Sequence, residues 1–249
     1  MSGHSKWSTI KRQKGATDAK RGQLFTKLAR EISVAARQGL PDPDYNFRLR
    51  LAVDRARAAS MPKDNIERAV SRAAGEGAAD NFDEIWYEGY GPGGAALMIQ
   101  AMTDNRNRTV GEVRAVLTRA GGALGETGSV GWMFDQVGLI ELEPNGTDPD
   151  DLALLAIDAG ASDVGVEEEA VEVFTEPHDL HKVREALLTG GFKITSAQLT
   201  MRPKTTLSPE MEQALKTFRL VEKLEELDDV QEVFTNVDVP SEMLAGAAP

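Results

Sequence analysis

Apolar side chains recur at helical spacing through the first third of the chain. Leu24, Leu28 and Ile32 stand at i, i+4 and i+8, with Phe25, Ala29 and Ala36 beside them. This spacing gives one apolar face to a helix that opens near Thr17-Asp18, a capping pair, and stops at Gly39 and Pro41. A second helix is predicted over Asp44–Ala59, with Phe47, Leu51 and Ala58 on one stripe and Leu49, Val53 and Ala56 beside it. Ser60-Met61-Pro62 breaks it, and Pro62 suits the first turn of a third helix that carries Ile66, Ala69, Val70 and Ala73 inward and ends at Gly75. Three amphipathic helices over 17–75 make a small bundle. Gly75–Asn81 reads as a linker of small residues.

Beyond residue 81 the pattern changes to short apolar runs separated by turn residues. Strands are predicted at Glu84–Tyr90 and Ala95–Met102, a helix at Arg106–Ala120 and a further strand at Ser129–Phe134. From Val137 the order is strand (137–143), helix (149–159), strand (162–167), strand (170–175), helix (178–189), strand (192–202). That βαββαβ order is the ferredoxin-like motif. A long helix from Ser208-Pro209 to about Leu227 and a strand at Gln231–Val237 have no place in the closed unit, but they complete the open set at 82–134. The expected class is therefore α+β. An N-terminal three-helix bundle (17–75) precedes a discontinuous α/β domain (82–134 plus 204–238), into which a ferredoxin-like domain (135–203) is inserted. Residues 1–16 are read as a flexible basic arm and 241–249 as a disordered tail.

Composition narrows the chemistry. The 249 residues contain no cysteine and three histidines, which excludes disulfides, thiol catalysis and thiolate-held metal clusters. No run approaches the ~18 apolar residues of a membrane span, and the first residues lack the apolar centre of a signal peptide, so a cytoplasmic protein without membrane partners is expected. The net charge of −12 hides an asymmetry. Met1–Gly75 holds 16 basic and 7 acidic residues, whereas the remaining 174 hold 12 and 33. A basic third on an acidic body points to polyanion binding, or to a molecule whose two parts neutralise each other.

Most candidate constellations have a plainer reading. Gly89-Tyr90-Gly91-Pro92-Gly93-Gly94 has the spelling of a dinucleotide fingerprint but is followed by a strand, so it is a turn. His178 and His181 lack a third ligand and read as a solvated helix start, and the acidic runs Glu167–Glu169 and Glu222–Asp229 read as solvated faces. No metal, cofactor or catalytic residue is assigned. Two stretches remain. The first is the basic set Lys6, Lys11, Arg12, Lys14, Lys20, Arg21, Lys27 and Arg30 with Trp7, in which cations release counterions from phosphates. Trp7 either stacks on an unpaired base or anchors the arm to its own bundle. The second is Thr103–Thr109, where Arg106 and Arg108 stand at a helix start as phosphate contacts or as surface arginines of a capping loop. A helix-turn-helix over 44–73 would make Asn65, Arg68 and Arg72 readers of a DNA major groove, although Asp64 and Glu67 sit among them.

Several blocks resemble one family. Ser2-Gly3-His4-Ser5-Lys6-Trp7 with Ile10-Lys11, then Asp18–Gly22, Phe25–Leu28 and Arg30-Glu31-Ile32 are similar to the YebC/PmpR family. So are Met61–Ala69, Tyr87–Gly94, Thr103–Arg114, Gly128-Ser129-Val130 and Met133-Phe134. The resemblance covers about residues 1–240; Gln13 departs from it where a basic residue is common. It implies three domains, the third inserted in the second, and a cytoplasmic, non-enzymatic regulator of gene expression. It implies either a DNA-binding transcriptional regulator or a translational activator that binds ribosomal RNA at the ribosome. The expected partner is a nucleic acid, with the DNA-linked role named first and RNA the better physical match for an extended basic arm.

Overall fold

The computed structural model of the chain describes residues 18–75, 81–143, 149–166 and 171–238. The basic arm, most of the linker and the C-terminal tail of the sequence reading lie outside the described residues. The chain divides into two compact units, one of residues 135–202 and the other holding the helical segment together with 81–134 and 203–238.

Helices α1 (Asp18–Arg37), α2 (Phe47–Ala58) and α3 (Lys63–Ala73) form the N-terminal bundle. They meet in one core of Leu28, Ile32, Leu49, Val53, Ala56 and Ile66; in α2 it is the Leu49, Val53 and Ala56 face that turns inward, while Ala58 of the predicted stripe is exposed. Burying each of the larger side chains contributes about 1.5–3 kcal/mol, which is what holds helices this short. Asn46 caps α2, its side-chain oxygen accepting from the Leu49 amide at 3.0 Å. Its Nδ2 donates back to the carbonyls of Ala35 and Leu40, tying the turn to α1. Gly39 leaves room for this side chain, since a Cβ would stand 2.7 Å from Asn46 Nδ2 and displace it. Between α2 and α3, Ser60 turns the chain at φ +61, a left-handed conformation unusual for a residue with a Cβ.

The second layer is a four-stranded sheet. Strands β1 (Asp83–Tyr90) and β2 (Ala96–Thr103) pair antiparallel from Asp83 opposite Thr103 to Tyr90 opposite Ala96. Helix α4 (Arg106–Arg119) follows, and the two-residue β3 (Ala123–Leu124) pairs with the end of β1. Gly122 lets β3 approach, since a Cβ there would lie 2.4 Å from the Tyr90 carbonyl oxygen. Helix α7 (Met211–Glu225) and β8 (Val230–Thr235) come from the far side of the insertion. β8 joins the free edge of β2, giving the order β3-β1-β2-β8. Leu97, Ile99, Val113, Leu117, Phe218 and Val221 are at the centre of this core.

The sequence expectation of a strand over Ser129–Phe134 is corrected. Residues 131–133 form a single 3-10 turn, and Phe134 opens the next strand, β4 (Phe134–Leu142). The cause is Glu88 on β1. It is 8% exposed, and its carboxylate accepts from the amides of Gly128, Val130 and Gly131 at 2.6–2.7 Å. Those amides turn inward to the carboxylate and are lost to any ladder. Burial pushes the Glu88 carboxyl up, but the three N–H donors outweigh it and hold the group below the ordinary glutamate value.

The inserted unit contains β4, α5 (Pro149–Ala159), β5 (Ala161–Val166), β6 (Val171–Thr175), α6 (Leu180–Thr189) and β7 (Ile194–Pro203). The strand order β5-β6-β4-β7 sets the first strand between the third and the last, and the pairs are antiparallel. This is the ferredoxin-like arrangement. Leu180, Val183 and Leu187 of α6 are buried at i, i+3 and i+7. Arg202 lies over the Phe174 ring at 4.2 Å and pairs with Asp163 at 2.6 Å. No described helix is long and apolar enough to cross a membrane.

Candidate nucleic-acid interface

Lys6, Trp7, Lys11, Arg12 and Lys14 lie outside the described residues, as does the side chain of Lys20 in the first turn of α1. Arg21 is exposed on α1. The next cations on that helix turn to the chain itself. Lys27 Nζ donates to the Glu225 carbonyl, Gln23 Nε2 to the Glu226 carbonyl at 2.6 Å, and Arg30 Nη1 to the Asp228 carbonyl. These acceptors are at the C-terminal end of α7, whose last carbonyls have no helical partners and carry the negative end of the dipole. The run Glu222–Asp229 is thus not simply a solvated face, as the sequence suggested. Its last turn docks the basic face of α1, and its terminal residue, Asp229, is 2% exposed.

Asp229 gathers the second candidate stretch. Its Oδ2 lies 2.9 Å from Thr103 Oγ1, 2.7 Å from Thr109 Oγ1 and 2.6 Å from Arg108 Nη2, while Oδ1 pairs with Arg30 Nη1 at 3.1 Å. Burial pushes the Asp229 carboxyl up, but the hydrogen bonds from Arg108, Thr109 and Thr103 outweigh it and hold it below the ordinary aspartate value. The same pairing raises Arg108 further above its ordinary range. Arg108 also bonds Asp104 at 2.7 Å, and Arg106 bonds Asp83 at 3.0 Å. Asn105 caps α4 through the Arg108 amide. Arg30 and Arg108 therefore meet on Asp229 while Arg106 stands on Asp83, so each already holds a carboxylate.

Other arginines hold none among the described residues, and three of them share one face. Arg37 at the end of α1, and Arg68 and Arg72 on α3, make no side-chain hydrogen bond or ion pair with a described residue. They line one groove of about 430 Å³ between α1, α3 and Phe82. Buried Met61 and Ala69, with half-buried Phe25, form its apolar floor; exposed Arg37, Arg68 and Arg72 form its rim. Asn65, also unpaired, faces the same space, as does Arg30, whose buried Nε has no acceptor. The i, i+3, i+7 spacing of Asn65, Arg68 and Arg72 was visible as a shared helix face; that Arg37 completes it depends on how α1 packs on α3. Among the described residues no three His, Asp or Glu side chains are placed to hold a metal ion.

A basic three-helix domain joined to a split α/β domain with a ferredoxin-like insertion defines the class. The chain matches the model of the TACO1/YebC protein N-terminal domain over residues 5–76 and that of the TACO1/YebC second and third domain over 82–237. It belongs to the TACO1/YebC family. A Roseiflexus castenholzii relative, named "Probable transcriptional regulatory protein", is 56% identical across 98% of this chain and 97% of its own. A Pelotomaculum thermopropionicum relative of the same name is 55% identical across 96% and 99%. The crystal structure of a conserved hypothetical protein from Aquifex aeolicus is 47% identical, with a TM-score of 0.82 over 90% of this chain and 92% of that one. These names support a regulatory role.

Proposed function

We propose that this protein is a nucleic-acid-binding regulator of gene expression, acts in the cytoplasm and is not an enzyme. The observation that carries the reading is the distribution of positive charge. The first 75 residues hold 16 of the 28 basic side chains of a chain whose net charge is −12. A concentrated basic surface on an acidic body directs a polyanion to one face and repels it from the rest. On this reading Lys6, Lys11, Arg12, Lys14, Lys20 and Arg21 contact phosphates and Trp7 stacks on a base, with Lys27, Arg30, Arg106 and Arg108 at the border of the contact. The names of the relatives put transcription first, and DNA is the partner such a role suggests.

A second reading, a ribosome-associated activator of translation that binds ribosomal RNA, draws on one observation. The basic face of α3 lines a groove against α1 instead of standing free as a recognition helix. Crosslinking in living cells, with sequencing of the recovered DNA and RNA, tests both. Enrichment at promoters with ribosomal RNA at background supports the DNA-binding regulator. Crosslinks clustered in ribosomal RNA and lost on deletion of residues 1–16 support the translational role. Recovery of neither above background refutes nucleic-acid binding.

A further inference from the structure

The groove between α1 and α3 has the features of a site for a flexible anionic polymer that also carries flat apolar groups. Its floor is apolar and mostly buried, made of Met61, Ala69 and Phe25. Its rim holds guanidiniums from two helices, and those of Arg37, Arg68 and Arg72 have no partner among the described residues. Arg114, Arg119 and Arg219 also lack a described partner, but only Arg37, Arg68 and Arg72 share one groove. Arg30, Arg48, Arg55, Arg57, Arg106 and Arg108 all pair with carboxylates. Three unpaired arginines converging on one concave surface repel each other, and an anion relieves that repulsion. The Asn65 amide supplies one donor pair and one acceptor on the same wall, which is the complement of a base edge. The volume of about 430 Å³ lies in the range of small-ligand sites and is too small to admit a duplex.

We infer that this groove binds a single-stranded segment of nucleic acid. Arg37, Arg68 and Arg72 hold successive phosphates, one base lies on the floor beside Phe25 and Met61, and Asn65 meets its edge. The inference rests on the nucleic-acid reading above and names a site for it on the folded domain, separate from the N-terminal arm. An acidic protein segment would satisfy the arginines but would leave the flat floor and the Asn65 amide without a role.

The test uses the full chain and a fluorescent twelve-nucleotide single strand of mixed sequence, made as RNA and as DNA. Anisotropy is read from 0.05 to 0.5 M salt. The variants are R37Q/R68Q/R72Q, N65A, and an arm variant K6Q/K11Q/R12Q/K14Q, each checked for an unchanged unfolding midpoint. Losing three phosphate contacts on a single strand lowers the slope of log affinity against log salt by about 2, which is a roughly 50-fold weaker affinity at 0.15 M. Asn65→Ala narrows the spread of affinities among the four homopolymers while leaving the slope in place. The better-bound of RNA and DNA identifies the sugar the site prefers, and either supports the inference. A triple variant that binds like the parent while the arm variant loses binding overturns the groove and leaves the nucleic-acid reading standing. A parent chain that binds no single strand or duplex overturns both. Polyglutamate that displaces the strand as well as unlabelled strand does, at equal charge, gives the groove to an acidic protein and overturns the inference.

Discussion

Asp229 is the best place to test whether the basic helix α1 is clamped to the α/β core. The replacement is Asp229→Asn, which keeps the volume and removes the charge. The carboxylate is 2% exposed and faces Arg30, Arg108, Thr103 and Thr109. An amide still accepts through one oxygen, but its NH2 opposes groups that donate. Removing one side of a buried hydrogen-bonded charge pair costs about 3–5 kcal/mol. Arg108 is 42% exposed, so water replaces much of its share. The loss then rests on Arg30, 15% exposed, and on the two fully buried threonine hydroxyls, or about 3 kcal/mol. Urea unfolding followed through Trp86 reads it, with Trp7 and Trp132 replaced by Phe. Trp86 stacks on Phe234 of β8, five residues beyond Asp229, with ring centroids 6.0 Å apart. The pH dependence carries the sign. The folded carboxyl is held below the ordinary value of 3.8. Its contribution is therefore complete above that value and is lost as pH falls through the lower folded value. The gap between parent and variant should be about 3 kcal/mol at pH 7 and should close below pH 3.8. A gap under about 1 kcal/mol at pH 7, or one that persists unchanged into acid, would refute the clamp.

Other positions test the local arguments. Glu88→Gln removes the charge that gathers three amides. It should cost about 2 kcal/mol and speed hydrogen exchange at Gly128, Val130 and Gly131 first, whereas unchanged protection there would show that the turn holds itself. Ser60→Gly relieves the left-handed residue between α2 and α3 and should raise the stability of the bundle by about 0.5–1 kcal/mol in urea; a loss would mean that the Ser60 conformation carries no strain. Leu97→Ala opens a cavity in a fully buried site on the central strand. It should cost about 2–5 kcal/mol by the same assay, and a cost below 1 would contradict the placement of that core.

Local periodicity carried most of the fold. Leu28 and Ile32 repeat as a helix requires, and both are buried in the bundle. The order of runs after Val137 was enough for a ferredoxin-like unit, because short runs with turn residues between them leave few topologies. Two of the failures share a cause, a partner far along the chain. Val130, Trp132 and Met133 look strand-like, yet Glu88, about forty residues earlier, curls their backbone into a turn and leaves Trp132 68% exposed. Asp229 reads as the end of an acidic run, and its burial depends on Thr103, Thr109 and a guanidinium on α1, from 120 to 199 positions away in the sequence. The two residues of β3 carry no period at all. Which arginines keep a partner was equally invisible, since Arg37 and Arg30 differ by seven residues on one helix and only Arg30 meets the acidic turn.

That difference in pairing separates cations that look equivalent in sequence. A phosphate that approaches Arg106 competes with Asp83, which already bonds Nε at 3.0 Å, so part of the charge it would neutralise is already met by the chain and fewer counterions are released. At Arg68 no described carboxylate has to leave. If a nucleic acid covers this face, Arg68→Gln should lower the salt slope of single-strand binding by about 0.7 and the affinity at 0.15 M by about fourfold. Arg106→Gln should change the slope by less than half as much, although it removes the same charge from the chain. Anisotropy titrations of the two single variants at four salt concentrations make the comparison. Equal losses would mean that binding responds to total charge at long range, so that the carboxylates around Arg106 count for nothing. The larger loss at Arg106 would mean that the phosphate takes the place of Asp83, and that the ion pairs of the α4 start open when nucleic acid binds.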